Sequence, residues 1–79
     1  MGLQEHYANR ETCLRELGQA REVMGNRNTT MKQADGVMKG LGFMLLYCPP
    51  DLVTAVEAHI IDWENRIRIG SRIGWPRID

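Results

Sequence analysis

Thr30-Met31-Lys32-Gln33 and, fifteen residues further on, Cys48-Pro49-Pro50 frame the segment whose reading decides the fold. The first tetrad has the form of a capping box, in which a threonine hydroxyl and a glutamine side chain reciprocally satisfy free amides at a helix start. The double proline disfavours helical geometry at the residue before it and closes the segment. Between the two signals Met31, Ala34, Val37, Met38, Leu41, Leu45 and Cys48 recur at helical spacing, the stripe of an amphipathic helix. Working outward, the chain divides into three helices, about 3–24, 31–47 and 51–69, and a tail over 70–79. The expected fold class is all-α: a small three-helix bundle or helical-hairpin arrangement in a single domain over 1–79, with a short C-terminal tail and completion by homo-oligomerisation.

In the first helix Leu3, Tyr7, Leu14, Leu17 and Met24 form the stripe, widened by Cys13 and Ala20. Arg10 and Arg21 fall in the same register, where their stems can line a hydrophobic seam while the guanidinium reaches its edge. Gly25-Asn26 is expected to end the helix through a left-handed glycine. The middle helix holds Gly36, Gly40 and Gly42, each costing about 1 kcal/mol against alanine, so their presence needs a reason. Gly36 and Gly40 share a face, which predicts a close helix crossing or an oligomer contact; the alternative is a break near Gly40-Leu41-Gly42. The third helix opens at Pro50-Asp51, with the aspartate favourable beside the positive helix end. Its stripe is Val53, Val56, Ile60, Trp63 and Ile67, and Asp62 with Arg66 and Glu64 with Arg68 are spaced to pair. The tail keeps Ile73, Trp75 and Ile78, unlike a solvated linker. A hairpin over Arg66–Ile69 and Arg72–Trp75, turning at Gly70-Ser71, ranks second because an isolated two-stranded hairpin is marginal.

A core built from 79 residues rarely supplies more than about 3–5 kcal/mol, which is the reason self-association is expected. The ten basic and ten acidic residues cancel, but unevenly. Residues 49–65 carry −4, from Asp51, Glu57, Asp62 and Glu64, whereas 66–79 carry +3, from Arg66, Arg68, Arg72 and Arg77 against Asp79. Neutrality argues against both a nucleic-acid mimic and a general DNA-coating protein. The opening residues lack the basic and apolar runs of an export signal, so the expected compartment is the cytoplasm, with Cys13 and Cys48 as free thiols. The longest apolar run, Phe43 to Cys48, is too short to span a bilayer, and no membrane association is expected.

No chemistry-bearing motif is present: no nucleophile elbow, no phosphate loop and no H-E-x-x-H. The two histidines and two cysteines lack the close ligand pairs of structural zinc sites, so neither metal nor cofactor is expected, and the chain reads as a non-enzyme. The candidate partner-binding residues are Arg66, Arg68, Arg72, Trp75 and Arg77, types suited to interface anchors, with Gly36 and Gly40 as the helix-crossing or oligomer pair. The bland alternative is that Trp75 folds back over Trp63 and the arginines are solvated. The leading reading is a small interaction protein, a regulator or inhibitor that occludes a partner protein's surface. By association with its size, a phage or mobile-element product directed at a host system fits that description. The runner-up is a DNA-binding regulator, because Val23 to Met31 resembles a helix–turn–helix junction opening a recognition helix over Thr30–Gly42. That helix offers only Lys32, Gln33 and Lys39 to a groove. A third reading is a structural subunit of a larger assembly.

Overall fold

The computed structural model describes residues 2–78; Met1 and Asp79, the outer limits of the expected domain and tail, lie outside the described residues. Four α-helices follow one another among them: α1 (Leu3–Ala8), α2 (Arg10–Gly25), α3 (Met31–Tyr47) and α4 (Val53–Gly70). A single 3-10 turn, Pro50–Leu52, leads into α4. The all-α expectation holds, but the long first helix is two helices. Asn9 breaks it by taking extended geometry and accepting a hydrogen bond from the Thr12 amide at 3.1 Å, which makes it the N-cap of α2. The Cys13 thiol then donates to the Tyr7 carbonyl, 3.0 Å away.

The capping box forms as expected, with Gln33 N to Thr30 Oγ1 at 3.2 Å and Thr30 N to Gln33 Oε1 at 2.9 Å. α3 runs unbroken through all three glycines and ends at Cys48, whose backbone is extended ahead of the prolines. The C-terminus of α2 departs from expectation: Asn26, not a left-handed glycine, ends the helix in extended geometry. Buried Thr29 closes the corner instead, its hydroxyl donating to the Val23 carbonyl at 2.5 Å. This satisfies one of the carbonyls that every helix end leaves without an intrahelical donor.

α3 packs against α1, α2 and α4, and α4 also touches α2, so one core gathers Tyr7, Cys13, Leu17, Met24, Leu41, Met44, Val56 and Trp63. Arg10 of α2 meets Asp51 at the start of the 3-10 turn, tying the first corner to the last helix. Trp63 is completely buried, and its indole N–H finds no acceptor among the described residues. An unmet buried donor of this kind costs about 1–3 kcal/mol.

The tail is not a separate arm. From Gly70 the chain turns back so that Trp75 stacks on Trp63, with ring centroids 5.9 Å apart and planes 25° from parallel. The Trp75 indole N–H donates to the Asn26 carbonyl at 3.0 Å. Beyond Pro76 the backbone lies against the α2–α3 corner: Arg77 N donates to Thr29 O at 2.8 Å, and Met31 N donates to Arg77 O at 2.7 Å. The hairpin alternative does not form, since Arg66 to Ile69 remain inside α4. The sequence places Trp75 outside the three helical stripes; in the fold it belongs to the core boundary, because a stacked tryptophan covers apolar area that α4 alone leaves open.

Candidate functional site

The corner that receives the tail also forms a shallow depression of about 270 Å³. Met24, Ile69, Ile73 and Trp75 line it with apolar surface, and Arg27 and Arg66 stand at its edges. Ile69 is 64% and Ile73 84% exposed, so large aliphatic side chains are left in water beside two guanidinium groups. Arg66 reaches Asp62 at 3.5 Å, whereas Arg27 has no carboxylate partner among the described residues. Arg27 follows the end of α2, and a cation near a helix C-terminus is itself favourable by about 0.3–1 kcal/mol. Arg27 therefore serves the fold as well as any ligand.

The candidate binding residues are divided by this geometry. Arg66 and Trp75 meet in the depression. Arg77 is drawn to the neighbouring corner, where its Nη1 donates to Asn28 Oδ1 at 3.2 Å. Arg68 points to the outer side of α4 and donates to Asn65 Oδ1 at 3.0 Å, so the expected Glu64–Arg68 pair does not form, while Asp62–Arg66 does. Arg72 lies exposed in the turn after α4. Arg27, Ile69 and Ile73 were not among the sequence candidates; Arg27 is separated from Trp75 by 48 residues, and only the return of the tail brings them together.

Gly36 and Gly40 do not mark a tight crossing within the chain. A Cβ at Gly36 would meet nothing within 4 Å, and one at Gly40 would sit 3.6 Å from the Tyr7 hydroxyl, an ordinary contact. Both glycines instead line a groove of about 350 Å³ between α2 and α3, with Ala20, Val23 and Val37. At its α1 end, His6 Nε2 lies 2.5 Å from Glu16 Oε2, and the Tyr7 hydroxyl donates to Glu16 Oε1 at 3.2 Å. Burial, then the nearby Glu16 carboxylate, push the Tyr7 hydroxyl above its ordinary value. Burial above all, helped by Cys48 and Glu16, raises the Cys13 thiol as well. A buried thiol held in its protonated form is a poor nucleophile, because the thiolate is the reactive species. Among the described residues no three histidine, cysteine or acidic side chains converge to hold a metal ion. Among the described residues no helix is long and apolar enough to cross a membrane.

No family model matches this chain, and no curated protein or solved structure is significantly similar to it.

Proposed function

We propose that this protein is a non-enzymatic interaction module, a regulator or inhibitor that occludes a partner protein by seating an acidic, apolar segment in the depression between Arg27 and Arg66. The observation that carries the reading is the exposure of Ile69 and Ile73 beside stacked Trp75, in a depression that Arg27 and Arg66 also line. Aromatic, aliphatic and arginine side chains converging on one concave patch are the composition of an interface centre. The DNA-reading alternative has less support. The returning tail is bonded to Met31 at the start of α3, and Lys39, one of the helix's few cations, is paired with Asp35 at 3.0 Å.

The test is capture from an extract of the native cells, followed by the same capture with Ile73→Glu and Arg66→Glu. Each variant is first checked for unchanged helical circular dichroism. Both substitutions are expected to lose a protein partner that the unaltered chain retains, with only weak dependence on salt. Retention of that partner by both variants sinks the assignment to this depression. Recovery of nucleic acid instead, with affinity falling steeply and linearly in log salt, establishes the runner-up.

A further inference from the structure

The outward side of α4 carries a seam that nothing in the chain covers. Thr54, Ala58, Ile61, Asn65 and Arg68 succeed one another at intervals of four, three, four and three residues, and all are exposed. That alternation places them on one line along a helix, the spacing used where two helices lie side by side. The opposite side of α4 holds the buried Val56 and Trp63. α4 packs on α2 and α3 through its buried side, while every residue of the seam is exposed.

The charges on this side are ordered. Glu57 and Glu64 flank the first part of the seam, Arg68 continues it, and Arg72 stands in the turn beyond. None of the four makes an ion pair among the described residues.

We infer that this face is the contact of a symmetric homodimer in which the α4 helices of two copies lie antiparallel. Ile61 of each copy sits near the twofold axis, and Glu57 of each faces the partner's Arg68. Charge complementarity selects both the occupant and its direction. An antiparallel copy sets Glu57 of each helix against Arg68 of the other, twice, as a twofold axis requires. A parallel copy sets like against like, which suppresses that arrangement. Ile61, 59% exposed in the single chain, supplies the apolar centre. The surface is separate from the Arg27–Arg66 depression, so the dimer stands or falls independently of the proposed partner site.

Sedimentation equilibrium from micromolar to several hundred micromolar protein tests the inference. The mass is expected to rise from 9.0 kDa toward twice that value with concentration, and to fall back as salt is added. Glu57→Arg and Arg68→Glu, each of which counts twice at a twofold interface, should weaken the dimer about tenfold apiece. The double variant should restore it to within about threefold, since the pair is re-formed with its signs exchanged. Ile61→Lys should abolish dimerisation while leaving circular dichroism and melting temperature unchanged. A chain that remains monomeric throughout overturns the inference. So does a dimer indifferent to Ile61→Lys, or one that both single charge reversals weaken but their combination fails to restore.

Discussion

Gly70 and Trp75 touch so closely that a side chain at residue 70 has no room: a Cβ there would lie 2.7 Å from Trp75 Cε3 and 2.8 Å from the Trp75 carbonyl oxygen. The second neighbour is backbone and cannot rotate away. Gly70→Ala is therefore expected to destabilise the protein by about 1–3 kcal/mol through overpacking, although alanine is the better helix former. Thermal unfolding of the variant measures this directly. An unchanged or higher melting temperature would show that the tail does not rest on α4.

Removal of the tail should be more damaging still. Trp75→Ala gives up the stack on Trp63 and the hydrogen bond to Asn26. The expected loss is about 3 kcal/mol, the low end for a buried tryptophan because Trp75 is only partly covered. A core of this size rarely provides more than about 3–5 kcal/mol, so deletion of residues 71–79 should leave a largely unfolded chain at room temperature. Urea titration followed by circular dichroism reads both. A truncated chain with the full-length midpoint would return the tail to the role of a dispensable arm.

The two glycines of the α2–α3 groove should respond in opposite ways. Gly36→Ala adds helix propensity where the new methyl meets nothing, and a gain of about 0.5–1 kcal/mol is expected. Gly40→Leu drives a large side chain toward the Tyr7 hydroxyl and the α1 crossing, with an expected loss of about 1–3 kcal/mol. Paired melting curves decide the matter, and a stabilised Gly40→Leu would show that the α2–α3 groove accommodates the new side chain instead of pressing it on Tyr7.

Alkali should unfold the protein earlier than its other groups require. Cys13 and Tyr7 both ionise less readily folded than unfolded, burial being the first cause for each. The unfolded state thus releases these protons first. The stability they confer is complete below the unfolded values, about 8.5 for a thiol and about 10 for a phenol, and is lost as pH rises through the higher folded values. Chemical denaturation between pH 7 and 11 should show a decline that Cys13→Ala together with Tyr7→Phe flattens. An equal slope in that double variant would assign the decline elsewhere.

The parts of this fold that could be read from residues alone are the local ones. The capping box at Thr30 and the Pro-Pro corner each depend on atoms within a few positions, so their chemistry is written in the tetrad and the dipeptide themselves. The Asn9 break is equally local, but the apolar spacing of Leu3, Tyr7 and Leu14 runs across it and masks an ordinary N-cap residue. Trp75, Arg77 and Arg27 were harder, because their surroundings come from segments nearly fifty residues away. No periodicity signals that a tryptophan outside every stripe will lie against Trp63. For the same reason the arginines looked like one cluster in the linear chain, yet Arg66, Arg68 and Arg77 face three different environments in space.

The return of the tail to the α2–α3 corner also governs when this protein can acquire its shape. The links from Trp75 to Asn26 and from Arg77 to Asn28 each close a span of 49 residues. Contacts so remote in sequence form only after the intervening chain has been ordered, and such closures slow folding relative to purely local ones. On a ribosome, where synthesis proceeds at about 5–20 residues per second, α2 and α3 are made before the segment that docks on their corner. A chain cut before residue 75 and released would leave Trp63 without the ring that stacks on it. Completion of the fold is thus deferred until the segment around Trp75 and Arg77 has been made.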